Sequence, residues 1–165
     1  VTPSSWLSAL ALGVACVSGA ACAGSPAAPT EDQGSLSLSP AILAPELAFC
    51  ADEINRYRRT VGLLPLARSQ DLEAFAAFAA EADGIVHLPH AYFHATDGAG
   101  VSRAETEILW WRGFSIRNVI REGLAQMWQV GPGGEHYDII AGDYVEIGCG
   151  IFSLGGEVTV TQDFR

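Results

Sequence analysis

The sequence contains no lysine. Its nine basic residues are all arginines, scattered rather than clustered, against nineteen acidic ones, for a formal net charge of -10. A chain without a basic run lacks the electrostatic footprint that nucleic acid or an anionic lipid surface requires, and nucleic acid is set aside as a partner. Charged residues of either sign are also scarce, at 17% against 49% hydrophobic. A domain with that balance buries enough apolar surface to fold without a metal or a dense set of disulfides. Missing too are a His-Glu-x-x-His helix and a Gly-x-Ser-x-Gly elbow, which removes the two commonest sequence marks of a hydrolase.

What is present begins with an uncharged run from Trp6 to Gly24, followed by a Pro- and Ser-rich stretch from Ser25 to Pro40. The run is short for a membrane span and ends in small residues, Gly19, Ala20 and Ala21. It therefore reads as an export signal over residues 1–24, with a tether over 25–44. Cys22 is the candidate lipid-accepting cysteine if the leader is of the lipoprotein kind. With Cys16 and Cys22 assigned to the leader, two cysteines remain, Cys50 and Cys149. In an oxidising compartment they either form a disulfide or stay as two buried thiols. The remaining residues 45–165, roughly 120 in number, make one domain of common size.

Within that domain, Pro45 or Glu46 starts a first helix that runs to Thr60, with Cys50, Ile54, Tyr57 and Val61 on one face. A second is expected over Gln70–Ala82 behind Ser69 as N-cap. The segment Asp83–Gly113 has no sustained period and reads as a long loop with short ordered pieces, the kind of segment that often carries function. It holds His87, His90, His94 and the pair Trp110-Trp111. A third helix follows from Ser115 to Trp128 and stops at Gly131-Pro132-Gly133-Gly134. Val145 to Ile151 and Val158 to Thr161 alternate about Gly155-Gly156, a hairpin pattern. Helices first and strands last favour helices on a largely antiparallel sheet, an α+β arrangement.

Three groups of residues then stand out in order. The first is Glu53-Ile54-Asn55-Arg56-Tyr57-Arg58 with Leu63-Leu64-Pro65-Leu66 after it, and the second is Ala104-Glu105-Thr106-Glu107 ahead of the tryptophan pair. The third is Trp128, then Gly131 to Tyr137, then Ile147-Gly148-Cys149-Gly150, with Val160-Thr161-Gln162-Asp163-Phe164 closing the chain. In this order and spacing the set resembles the CAP superfamily (cysteine-rich secretory, antigen 5 and pathogenesis-related proteins) in its bacterial SCP-like branch, over about residues 47–165. The resemblance implies a three-layer α-β-α sandwich with a central, largely antiparallel sheet. It also implies a cleft of two histidines and two glutamates able to hold a divalent metal such as zinc. Residue by residue, it assigns His94, Glu105 and His136 as metal ligands. The family's second glutamate falls where this sequence has Val130. Glu107 and Glu135 are the candidates to replace it, as fourth ligand or as base.

His87 and His90, on either side of Leu88-Pro89, are read as solvated surface imidazoles. Two functions from different classes follow. The leading one is an exported, non-catalytic module of the cell envelope that binds a lipid, carbohydrate or protein ligand outside the cytoplasm through a degenerate His/Glu cleft, with membrane attachment only through a lipid anchor. The alternative is a metal-assisted, peptidase-like hydrolase using the same cleft.

Overall fold

The computed structural model describes residues 40–165. The expected leader, the tether up to residue 39, the Gly19–Ala21 cleavage site and Cys22 lie outside the described residues. Helix α1 spans Pro40–Thr60, five residues earlier than Pro45 suggests. Pro45 removes one hydrogen bond from the helix, to the carbonyl of residue 41. Burial of Leu43 and packing of Leu47 against the core offset that loss.

After α1 come the two-residue strand β1 (Ala67–Arg68), α2 (Gln70–Val86), α3 (Ala91–Thr96) and a single 3-10 turn. Strand β2 (Ala104–Arg112), α4 (Ile116–Gln129), α5 (Glu135–Ile140), β3 (Glu146–Leu154) and β4 (Glu157–Phe164) follow. The stretch Asp83–Gly113, expected to be loop, is therefore mostly ordered. It contains the last turn of α2, all of α3 and a nine-residue strand. The four strands form one sheet in the order β1-β3-β4-β2. Strands β3, β4 and β2 are antiparallel, as expected, but β1 joins β3 in parallel, so the sheet is mixed. No helix among the described residues is long and apolar enough to cross a membrane.

Helices α1 and α4 cover one face of the sheet, where Ile54, Ile120, Leu124, Ile147, Val160 and Phe164 form the centre of the core. Cys50 of α1 and Cys149 of β3 are bonded across this layer, which resolves the alternative that their burial left open. Helix α2 covers the other face, and it lies directly on β3 because Gly148 and Gly150 have no side chains. A Cβ at Gly150 would stand 2.0 Å from the Ala76 carbonyl oxygen, and one at Gly148 2.2 Å from the Leu72 carbonyl carbon. The Gly-x-Gly of the motif is therefore a packing requirement.

Two buried polar residues of α1 fix the chain that follows. Asn55 accepts from the Leu66 amide at 2.7 Å and donates to the Leu66 carbonyl at 3.0 Å. The Arg58 guanidinium donates to the carbonyls of Leu64, Ile140 and Gly142. Arg58 thus holds the C-terminal end of α5, while Tyr137 stacks on Trp128 at 4.2 Å between ring centroids. Those contacts set where the N-terminal end of α5, with Glu135 and His136, comes to rest.

Candidate functional site

Strand β2 alternates as a strand must, so Glu105 and Glu107 share one face and Thr106 and Ile108 the other. The face with the glutamates is the α2 and α3 side, and both are buried. Across the ladder Glu105 is paired with Asp163 and Glu107 with Thr161. Alternation there presents polar groups where a core strand ordinarily presents apolar ones.

The opposing wall is the turn between α2 and α3. Helix α2 ends at His87 in the left-handed conformation, and after Leu88-Pro89, His90 is left-handed as well, with φ of 55°. A non-glycine residue in that region costs on the order of 1 kcal/mol or more and persists only where its surroundings hold it. Here they do. The His90 amide donates to Glu107 Oε2 at 2.6 Å, and its ring Nδ1–H donates to Glu105 Oε1 at 2.8 Å, with Glu107 Oε2 3.5 Å away. Glu107 Oε1 accepts from the Thr161 hydroxyl at 3.1 Å. From α2, buried Asp83 accepts the Tyr92 amide at 2.9 Å and keeps its second oxygen unpartnered.

Charge in this layer is poorly balanced by the protein itself. Glu105 Oε2 and both oxygens of Asp163 are buried without a donor. Burial pushes the Glu105 carboxyl up, against the opposing hydrogen bond from His90. Burial also raises Glu107 to about 8, with the Glu105 charge adding to it. Asp163 rises to about 8 for the same two reasons. The His90 imidazole is raised chiefly by its bond to Glu105. All four shifts have one direction: the cluster holds its protons more tightly than its members would in water.

The imidazole nitrogen of His90 and one oxygen each from Glu105 and Glu107 lie within 4.8 Å of one another. One imidazole and two carboxylates form a donor set that suits a divalent ion with open positions left for solvent or ligand. The free Oε2 of Glu105 is a further acceptor with nothing to accept from. These residues therefore fit a divalent metal.

Outside this cluster opens a cavity of about 150 Å³ whose walls include His90, His94, Glu105, Glu135 and His136. All three residues that the resemblance assigned as ligands thus line one cavity, and Glu135 joins them. Glu135 and His136 are neighbours in sequence, but they begin helix α5 instead of continuing an extended loop, so both face the cavity. Glu107 lies deeper, in the cluster itself. His87 is exposed and hydrogen-bonded through Nε2 to Glu157, as a surface imidazole should be.

His90 is the correction. It is a half-buried member of the cluster, one helical turn before His94, with ring centroids 6.1 Å apart. The spacing His90-x-x-x-His94 was the available signal, hidden by the loop reading of this segment. Val130 presents an exposed apolar side chain. It borders a second cavity, about 320 Å³, with Leu109, Trp111 and Met127, and His136 stands between the two cavities.

No protein-family model matches the sequence, and no curated protein matches it. Solved structures do. An outer surface protein from Borrelia burgdorferi aligns with a TM-score of 0.51 at 17% identity, over 74% of this chain and 94% of that one. Na-ASP-1 aligns with a TM-score of 0.53 at 13% identity, over 86% of this chain and 43% of that one. A cysteine-rich secretory protein from Staphylococcus aureus subsp. aureus Mu50 reaches 0.48 at 16% identity, over 74% of this chain and 39% of that one. This chain therefore spans less than half of the latter two. Likeness at these identities concerns architecture, and the architecture is the α-β-α sandwich of the CAP domain.

Proposed function

We propose that this chain is an exported CAP-fold domain that holds a divalent cation in its His/Glu cleft and uses the cavity above it to bind a partner outside the cytoplasm, without catalysis. The observation that carries this reading is the convergence of His90, Glu105 and Glu107 beneath a cavity walled by His94, Glu135 and His136. A cation held there would offer a Lewis-acid point to a carbonyl, carboxylate or phosphate oxygen of a ligand. The protein's own groups then divide the work. Glu105 and Glu107 supply negative charge, the His90 amide fixes Glu107, and His94 and His136 face the incoming ligand.

Export is supported by the Cys50–Cys149 disulfide, because such bonds persist in oxidising compartments. The non-catalytic part is supported by Val130, an exposed apolar residue beside His136. A carboxylate there could have served as ligand or base, whereas a valine favours holding an apolar group. Envelope material from a bacterial cell is expected to retain the protein in the presence of Mn²⁺ or Zn²⁺ and to release it on chelation. The variant Glu105→Gln should be retained at least about tenfold less well. Retention indifferent to both chelator and substitution would refute the reading.

One observation favours the hydrolytic alternative, with the cluster as metal ligands: Glu135 and His136 face the same cavity as Glu105 and either could act as base. Metal-dependent cleavage of a peptide library that is lost in Glu135→Gln or His136→Ala would establish it.

A further inference from the structure

Strand β3 is paired along only part of its outer side. The sheet order puts β4 on its inner side and β1 on its outer one, but β1 has two residues and pairs only as far as Ile147. The chain then turns away at Ser69 into α2. The amides of Ala67 and Ser69 donate to the carbonyls of Val145 and Ile147, so odd-numbered residues here turn their backbone groups outward. Strand alternation carries that pattern on to Cys149, Ile151 and Ser153. No strand among the described residues pairs with β3 beyond Ile147 on this side.

A cavity of about 350 Å³ lies there, walled by Leu43 and Leu47 of α1, by Ala74, Ala77, Phe78 and Glu81 of α2, and by β3 itself from Cys149 to Phe152. Helices on opposite faces of a sheet border one cavity only past the sheet's edge, so the cavity is a groove alongside β3. Both helices overhang it. Cys149, Ile151 and Phe152, although on an edge strand, are 1%, 7% and 6% exposed. Ala74 and Ala77 are exposed and short, and leave open the space that a longer side chain would take. Of the two acidic residues along the groove, Glu73 is paired with Arg68, and Glu81 is exposed. Strand β4 separates the groove from the His/Glu cleft on β2, so its occupation does not depend on a cation there.

We propose that the groove takes an extended peptide segment of a partner protein as a further strand beside β3. A row of unpaired backbone donors and acceptors is matched by another extended backbone, whereas an acyl chain of equal volume would leave those groups without partners. An added strand would run between the two helices, with alternate side chains toward Leu43 and Leu47 on one face and toward Ala77 and Phe78 on the other. A run of about four small apolar residues fits, roughly 13 Å at strand spacing, flanked by a basic residue that meets Glu81. A second copy of this chain is a poorer match, because its own β3 is recessed between its own helices.

The test titrates the full chain with labelled peptides of four alanines, valines or leucines flanked by arginines, and with the same peptides N-methylated along the apolar run. At least one unmethylated peptide should bind saturably and slow amide exchange at Cys149, Ile151 and Ser153 at least about tenfold, and methylation should weaken it at least about tenfold. Ala77→Arg, which fills the groove from an exposed position, should weaken binding by a similar factor and leave the melting temperature within about 3 °C of wild type. Ala74→Arg provides the same comparison should that variant fail to fold. Absence of saturable binding by all three peptides overturns the proposal, as does binding that leaves those amides or the Ala77→Arg variant unaffected. Two other results also overturn it: dodecanoate binding more tightly than any peptide and blocked by Ala77→Arg, which would make this a lipid site, and a dimer in sedimentation that Ala77→Arg dissolves, which would make it a self-association surface.

Discussion

In chelator, the protein is expected to be most stable near pH 4 to 5 and to weaken continuously as the pH rises to about 8. The direction follows from the site. Glu107 and Asp163 start from 4.5 and 3.8 and are each raised to about 8 in the fold, mainly by burial. A carboxyl with a raised folded pKa binds more protons folded than unfolded between the two values. The stability it contributes is complete below the unfolded pKa and is lost as the pH passes the folded one. Glu105 and His90 are raised too and act in the same sense. Glu157, lowered by His87 and Arg112, acts oppositely but sits at the surface against exposed partners, where screening leaves little effect.

The combined loss should be on the order of 5 kcal/mol, since one pKa unit corresponds to about 1.4 kcal/mol and the groups are too close to titrate independently. A divalent cation should reverse it. Once the carboxylates are ionised they bind metal, and an ion at about a hundred times its Kd adds about 2.7 kcal/mol. Urea unfolding at pH 5 and pH 8, with chelator and with Mn²⁺, reads both effects. A chelator profile that is flat or rises toward pH 8 would contradict the account of the buried cluster.

Removing the disulfide as Cys50→Ala with Cys149→Ala should cost about 4 kcal/mol, since the bond closes a loop of about a hundred residues. The two cysteines are 99 positions apart, and the bond joins α1 to the centre of β3. That is where the sheet receives its covering helix, so the loss should appear as cooperative destabilisation of the whole domain. With a urea slope of about 2 kcal/mol/M, the unfolding midpoint falls by about 2 M. Cation affinity should stay within about twofold of wild type, because the disulfide lies on the opposite face of the sheet from His90, Glu105 and Glu107. A midpoint unchanged by the substitutions would show that α1 is held by packing alone.

The two consequences differ in how far the sequence announced them. The α1, α2 and α4 stripes and the β3–β4 hairpin are regular periodic patterns, and Cys50 and Cys149 fall on their inward faces. Strand β2 was harder to read. Both of its faces are covered, yet the positions on the α2 and α3 side are Glu105 and Glu107, so carboxylates interrupt the apolar run such a strand would show. His90 was hidden for a related reason, because its i,i+4 spacing to His94 carries weight only on a helix, and the short α3 sits in a segment without sustained period. Only the fold brings it against β2. Asp163 sat in plain view between Gln162 and Phe164, but its burial depends on the register with Glu105 across the strand pair. The resemblance named His94, Glu105 and His136 as ligands, with Glu107 and Glu135 as candidates for the fourth place, and the fold sets His94, Glu105, Glu135 and His136 around one cavity. The inner layer belongs to pairings that no linear motif records.

The central claim is that His90, Glu105 and Glu107 form one cation centre. Titration of the full chain with Mn²⁺, followed by the loss of the free-ion electron paramagnetic resonance signal, tests it most directly. The expected result is about one high-affinity ion per chain, with uptake weakened at least about tenfold in Glu105→Gln and in His90→Ala. No uptake by the wild type, or uptake that both substitutions leave unchanged, would contradict it.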